Sequence, residues 1–102
     1  MNETTYQVLL TLRSGDRPAP DMLDGLRAIA GEAGTPSLAA FYRMLKNGID
    51  RGWLEVVGND ATGPGRPRQI YHLTPFGQRA LEKEARRLRS LAALGLGDAV
   101  AD

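Results

Sequence analysis

Residues 58–74 read GNDATGPGRPRQIYHLT, and the interpretation of this stretch decides the fold of the whole chain. Its first half is rich in glycine and proline, which interrupt regular structure, yet it carries Arg66 and Arg68. Its second half alternates around Tyr71 and Leu73 with the period of two that is typical of a β-strand. The stretch is therefore either a linker or the tip of a β-hairpin that holds two arginines out toward a partner.

The residues just before this stretch favour the hairpin. Residues 54–57, LEVV, alternate in the same way and predict a first strand facing the strand at Tyr71. The loop between the strands is expected to cover roughly ten residues, stiffened by Pro64 and Pro67. A linker would not need a strand at each end, so a hairpin with a glycine-rich tip is the better interpretation.

Two helices are predicted at the N-terminal end, where apolar residues recur at spacings of three and four. The first covers about ten residues and ends near Ser14. The second follows the break at residues 18–20, PAP, with Asp21 as its cap, and closes at Gly34. Their predicted inward faces are Tyr6, Leu9, Leu10 and Leu12 in the first helix and Met22, Leu23, Leu26, Ile29 and Ala30 in the second.

A third helix is predicted behind the hydroxyl caps Thr35 and Ser37, and it runs to about Arg51. Its polar face is expected to point away from the core. The predicted inward residues are Leu38, Phe41, Tyr42, Leu45 and Ile49, and the outward ones are Arg43, Lys46 and Asn47.

A long fourth helix is predicted from Thr74 and Pro75 to about Leu94, since a cap followed by proline opens a helix. At about 1.5 Å per residue it spans roughly 30 Å, which is too long for so small a core to cover. Its heptad-like seam therefore predicts a partner helix and a homodimer. The seam residues are Leu81, Ala85, Leu88, Leu91 and Ala92.

This order of elements is that of a winged helix-turn-helix domain: mainly α with a small β-hairpin, three helices, a two-stranded wing and a long C-terminal helix. We expect residues 1–73 to form a DNA-binding domain, 74–94 a dimerisation helix and 95–102 a frayed tail. In such a domain the third helix enters the major groove, which is wide enough to admit an α-helix. The order thus predicts double-stranded DNA as a partner.

The charge distribution also favours an anionic partner. The net charge is only +1, but residues 35–89 carry ten basic and five acidic groups, whereas residues 1–34 carry three and five. A local basic excess suits nucleic acid, although a solvated surface would look the same. The candidate DNA-binding residues are Thr35, Ser37, Tyr42, Arg43, Lys46, Asn47, Arg66 and Arg68.

The composition argues against an enzyme, a metal site and a bound cofactor. The chain has no cysteine and one histidine, and GPGRP lacks the lysine of a phosphate-binding loop. The N-terminus lacks a signal-like start and no long apolar run follows, so a cytoplasmic protein is expected. His72 is expected to be plain surface, and Trp53 to pack beneath the sheet or the last helix, or else to line a ligand pocket.

Two segments, FYRMLKNGIDRGWLEV and GRPRQIYHLTPFGQRALEKEARRL, resemble the PadR family of bacterial transcriptional regulators, and the likeness covers about residues 5–94. It implies a homodimeric DNA-binding repressor, with a pseudo-palindromic operator, whose dimer forms mainly through the C-terminal helix. It also implies, as in some members, a phenolic or other planar aromatic effector. The matching residues are Tyr42, Arg43, Leu45 and Lys46, then RGWLE at 51–55, and then the pattern from Arg66 to Leu81.

The sequence departs from the family pattern in two places. Residues 17–22, RPAPDM, replace the usual His-Gly-Tyr-like start of the second helix, and Gly48 stands where a core leucine is common. The alternative to a DNA-binding regulator is a winged-helix module that binds another protein. A DNA binder is expected to gather its arginines and lysines on one face, and a protein-binding module to expose an apolar patch there.

Overall fold

The structure is a computed structural model that describes residues 1–96 of the chain. Most of the predicted tail, residues 97–102, lies outside the described residues. Three helices precede a β-hairpin and a long helix follows it, as predicted, and one short strand is inserted between the first two helices. In order, the elements are α1 (Glu3–Leu10), β1 (Arg17–Pro18), α2 (Ala19–Gly34), α3 (Leu38–Asp50), β2 (Leu54–Asp60), β3 (Arg68–Leu73) and α4 (Pro75–Gly95).

The core lies where α1, α2 and α3 meet the sheet and the first half of α4. Burying these apolar side chains supplies most of the favourable free energy of folding. Each element contributes one face, at the spacing its secondary structure dictates. The largest fully buried side chains are Phe41, Leu9, Met22, Leu26 and Leu45.

The sheet has three antiparallel strands in the order β1-β3-β2, so the prediction of a two-stranded wing was incomplete. Arg17 pairs with Tyr71 and Pro18 with Ile70. The strand could not be predicted from the sequence, because a proline normally interrupts a strand and is tolerated only at an edge. The Arg17 side chain also donates from Nε to the carbonyl of Thr11 at 2.9 Å, which fixes the turn after α1.

The hairpin of β2 and β3 forms the predicted wing, with the tip at residues 61–67. Its ladder runs from Leu54 opposite Leu73 to Asp60 opposite Arg68, with a bulge at Val57. The strands extend further than the alternation indicated, which shortens the loop. Arg68 consequently lies at the start of a strand, and Arg66 alone of the two arginines lies in the tip.

The start of α2 and part of its inward face were predicted wrongly. The cap is Pro18, with Pro20 in the first turn, and Asp21 lies inside the helix without capping it. Pro18 has extended backbone angles and provides no side-chain cap, and Pro20 has no amide N–H that a cap would have to satisfy. Ile29 is 49% exposed, because the helix is interrupted two residues later at Gly31 and leaves the core there.

The predicted inward face of α3 was right at its centre and wrong at its ends. Phe41 and Leu45 are buried, whereas Leu38 is 59% exposed and Tyr42 and Ile49 are also exposed. Gly48 completes the buried face, since a Cβ there would lie 2.8 Å from Leu54 Cδ1. Leu54 of β2 thus fills the space that a larger residue at position 48 would take, and the helix keeps its register.

The long helix α4 begins and extends as predicted. The Thr74 hydroxyl accepts from the amide of Gly77 at 2.9 Å and caps the helix, with proline following at the first position. The first half packs on α1, and the second half projects, so that the molecule is 58 Å long but only 29 by 21 Å across. Leu91, Leu94 and Leu96 are exposed on the projecting half.

Candidate nucleic-acid interface

The interface is assembled around the start of α3. Ser37 caps this helix through its Oγ, which accepts from the amide of Ala40 at 3.2 Å, as the sequence predicted. Thr35 ends α2 instead, and its hydroxyl donates to the carbonyl of Gly31 at 2.6 Å. Ser37 therefore lies among the unpaired amides of a helix N-terminus, where a phosphate oxygen is favoured, while Thr35 supports the turn between the two helices.

The outward face of α3 carries the predicted polar residues. Tyr42, Arg43, Lys46 and Asn47 are all exposed, and the Tyr42 ring lies edge to face with the buried Phe41 ring, with the ring centroids 5.8 Å apart. Lys46 donates to Asp50 at 3.4 Å across one helical turn, and both side chains are well exposed. Exposed pairs of this kind contribute little, about 0.3–0.5 kcal/mol, so a phosphate can replace the carboxylate at small cost.

The wing approaches α3 closely, and this was not foreseeable from periodicity alone. A cleft of about 280 Å³ separates the two elements. Burial raises the pKa of Tyr71, and the nearby Tyr42 raises it further. The cleft is lined by Ala19, Pro20, Tyr42, Arg66, Pro67, Arg68, Gln69 and Tyr71.

The structure therefore brings Tyr42 of α3 and the two wing arginines around one cleft. Arg66 and Arg68 are exposed at the wing, and Arg43 follows Tyr42 as an exposed residue of α3. Across residues 1–96, no salt bridge involves Arg43, Arg66 or Arg68. Their charges remain available to an anionic ligand.

A polar contact between His72 and Asp16 was not predicted from the sequence. His72 was expected to be plain surface, but its Nδ1 lies 2.7 Å from the Asp16 carboxylate. The two residues are 56 positions apart, and only the unpredicted pairing of β1 with β3 brings them together. The sequence contains no local signal for this contact.

A larger pocket lies on the other side of the molecule, beside the predicted dimerisation helix. It encloses about 560 Å³ and contains Trp53, which packs partly against the core as one of the predicted arrangements had it. The guanidinium of Arg51 lies 5.2 Å from the Trp53 ring, and that of Arg79 lies 5.9 Å from the ring of Phe76. The lining residues are Met1, Trp53, Phe76, Arg79, Ala80, Lys83, Glu84 and Arg87.

Glu84 is the one acidic residue in this lining. Arg87 donates two hydrogen bonds to it, at 3.0 and 2.6 Å, and these bonds hold the pKa of the Glu84 carboxyl below its usual range. The carboxylate is therefore paired already, and the positive charges of Arg79 and Lys83 dominate the pocket.

The predicted dimer residues differ in how accessible they are. Leu81 is only 2% exposed and belongs to the core of its own chain, and Ala85 and Leu88 are half-buried. Leu91 and Ala92 are exposed. The surface open to a partner is accordingly shifted toward the C-terminal half of α4.

The described residues contain neither a metal-binding group nor a membrane span. In residues 1–96 no three histidine, aspartate or glutamate side chains are grouped so that they could hold a metal ion. None of the helices in that range has the length and apolar character needed to cross a bilayer.

Comparison with solved structures identifies the fold. The PadR protein of Bacillus subtilis in complex with operator DNA superimposes with a TM-score of 0.71 at 22% identity, over 83% of this chain and 48% of that one. A PadR family transcription regulator from Clostridium difficile R20291 superimposes with a TM-score of 0.78 at 16% identity, and the match covers 91% of this chain and 94% of that one. A transcriptional regulator from Clostridium thermocellum superimposes with a TM-score of 0.73 at 15% identity, and the match covers 89% of this chain and 84% of that one.

The chain has the PadR winged-helix fold. The fold expected from the sequence resemblance is thereby confirmed, with the addition of β1. No protein-family model and no curated protein sequence matches the chain. The chain spans about half the length of the Bacillus subtilis PadR and nearly all of the Clostridium difficile regulator, so the PadR fold is compatible with a chain of this size.

Proposed function

We propose that this chain is a homodimeric transcriptional regulator, a repressor acting in the cytoplasm, that binds a pseudo-palindromic operator. The proposal rests on one observation above all, the cleft that joins Tyr42 of α3 to Arg66 and Arg68 of the wing. A helix and a wing that meet at one cleft, each with exposed basic residues, match the two contacts a winged helix makes, one in a groove and one on the flank.

The residues on this surface suit different parts of a duplex. Arg43 and Asn47 lie four apart on the exposed side of α3, where their side chains can reach base edges in the major groove. Ser37 and Lys46 suit phosphates, since one is at a helix N-terminus and the other is a flexible point charge. Arg66 in the wing tip would contact the flanking backbone or the minor groove.

A dimer is supported by the projecting half of α4. Leu91, Leu94 and Leu96 are exposed apolar side chains that the described residues do not cover. Exposed apolar side chains on a helix that projects from its own core are typical of an interface. Pairing two copies through α4 would repeat the basic surface about a twofold axis, with half-sites about 34 Å apart.

The alternative, a module that binds protein through α3 or the wing, is less well supported. Such a module would expose an apolar patch on the surface that faces its partner. The exposed apolar residues of α3, Leu38 and Ile49, lie at opposite ends of the helix, with Arg43 and Lys46 between them. The outward face of α3 is therefore basic where an apolar patch would be required, and Val56 and Val57 are the exposed large apolar residues of the wing.

The direct test is a selection of fragmented genomic DNA on purified protein at two salt concentrations, followed by sequencing of the retained fragments. We expect enrichment of a few sites that share an inverted repeat, with binding that weakens steeply as salt rises, because phosphate contacts release counterions. Absence of enrichment at both salt concentrations would reject the DNA-binding function.

Arg43→Ala is expected to weaken operator binding by about 1–3 kcal/mol and to relax the sequence preference at one position of each half-site. The side chain is exposed, so the fold should be unaffected. Fluorescence anisotropy with the selected operator measures the loss. Arg27→Ala is the matched control, since Arg27 is already engaged by Asp24 and Glu32 on α2. If the two variants bound the operator with equal affinity, Arg43 would not be part of the DNA interface.

We further propose that the aromatic effector implied by the resemblance binds beside Trp53. Two aromatic rings and the positive charges of Arg79 and Lys83 favour a planar aromatic anion there. Trp53 is the single tryptophan of the chain, so its emission reports directly on the pocket.

Titration with 4-hydroxybenzoate is expected to quench Trp53 emission to saturation. Phe76→Ala should weaken that binding about three- to tenfold through loss of one stacking surface. Cyclohexanecarboxylate, which has the same charge without a planar ring, serves as the control ligand. Equal quenching by the two compounds, or no quenching, would contradict an aromatic site.

A further inference from the structure

One carboxylate lies on the basic wing, where it opposes the proposed function. Asp60 is the last residue of β2 and faces Arg68 across the final pair of the ladder, at the base of the wing tip. DNA presents a dense array of negative phosphates, so a nearby carboxylate repels it. Electrostatics alone would favour a neutral residue at this position.

The Asp60 carboxylate is engaged by the tip itself. Its Oδ1 accepts two hydrogen bonds from Thr62, one from the hydroxyl at 2.6 Å and one from the backbone amide at 3.0 Å. These bonds, and to a smaller extent the charge of Arg68, lower the pKa of Asp60. Through these two bonds, Asp60 Oδ1 stabilises the turn that follows β2.

Arg68 supports the same turn from the other strand. A Cβ placed on Gly63 would lie 3.8 Å from Arg68 Nη1, so the guanidinium folds back against the backbone of the tip. Asp60 therefore binds the tip by hydrogen bonds at Thr62, and the Arg68 guanidinium lies close to the tip at Gly63. Arg66, three residues beyond Gly63, is the exposed arginine of the same tip.

We propose that Asp60 is a positioning residue for DNA binding: through Thr62 it holds the wing tip in the shape that presents Arg66 to the duplex. This rests on the proposed function and deepens it. Because the tip is ordered, Arg66 is already positioned before the protein meets DNA. Less conformational entropy is therefore lost on binding. The benefit outweighs the repulsion between the carboxylate and the phosphates.

The sign of the effect of each substitution tests the proposal. Asp60→Ala removes both hydrogen bonds and the negative charge, and we expect operator affinity to fall about three- to tenfold. Asp60→Asn keeps an oxygen that accepts both bonds and removes the charge, so its affinity should equal or exceed that of the wild type. Thr62→Val removes one bond without changing the charge and should weaken binding about two- to fivefold.

Hydrogen exchange at the Thr62 amide supplies a readout that does not depend on DNA. Asp60→Ala should accelerate exchange at this amide and Asp60→Asn should not. Asp60 is at the edge of the sheet and away from the core, and thermal melting checks that all three variants remain folded. Operator binding by Asp60→Ala that equals or exceeds wild-type binding, or unchanged exchange at Thr62, would overturn the proposal. Failure of the wild-type protein to bind any DNA would instead reject the proposed function, and a role for Asp60 in binding with it.

Discussion

Leu91→Asp is expected to convert the protein from a dimer to a monomer and to reduce operator affinity by at least about 100-fold. Leu91 belongs to the predicted seam of α4 and is 50% exposed in the single chain, so the substitution removes little packing from the protomer itself. In a dimer paired through α4, the new carboxylate would be buried against apolar side chains of the partner. A buried unpaired charge costs several kcal/mol, and two half-sites can no longer be engaged together.

Sedimentation velocity measures the change of oligomeric state, and anisotropy with operator DNA measures the loss of affinity. Leu91→Met is the matched control, because it keeps an apolar side chain of similar volume and should remain dimeric. A Leu91→Asp protein that still sediments as a dimer would show that the interface lies elsewhere on the molecule.

The second large effect is expected from Gly77→Ala, which should destabilise the fold by about 3 kcal/mol or more. A Cβ at Gly77 would overlap the carbonyl group of Trp53 and would lie 2.8 Å from Leu73 Cδ1. The obstacle is backbone, and it is fixed, because the Trp53 carbonyl accepts from the amide of Thr74 at 3.0 Å and from the Thr74 hydroxyl at 3.1 Å. The helix cannot move away without breaking its own N-terminal cap.

Urea denaturation followed by circular dichroism measures this loss, and Gly95→Ala is the control. Gly95 is also in α4, but a Cβ there meets no atom within 4 Å. An alanine in place of an exposed helical glycine should be neutral or stabilising by up to about 1 kcal/mol. A Gly77→Ala protein as stable as the control would mean that α4 does not pack closely on the backbone of Trp53 in solution.

Local signals in the sequence account for most of the helices and for the wing. Ser37 and Thr74 could be predicted as caps because each is a hydroxyl residue placed directly before an apolar helical pattern. The hairpin followed from alternation on both sides of a loop. The ends of the elements were less predictable, because periodicity shows which face is apolar but not how far the core extends. Ile29 and Leu38 continue such patterns and are nevertheless exposed.

Contacts between distant parts of the chain were not predictable. β1 is a two-residue strand that contains a proline, and its pairing with β3 depends on the completed fold. The same holds for the cleft between Tyr42 and the wing, which requires the relative placement of α3 and the hairpin. The sequence indicated which side chains were suited to contact DNA, and the tertiary structure was needed to group them.

The pairing of β1 with β3 has a consequence for the order of folding. The wing hairpin closes a short loop and can form early, but Arg17 reaches Tyr71 only by closing a loop of more than fifty residues, whose entropic cost is larger. The third strand is therefore expected to join late. Until it does, one edge of β3 stays open to pairing with another chain, so a nascent protomer is most prone to misassembly before its N-terminal turn has docked.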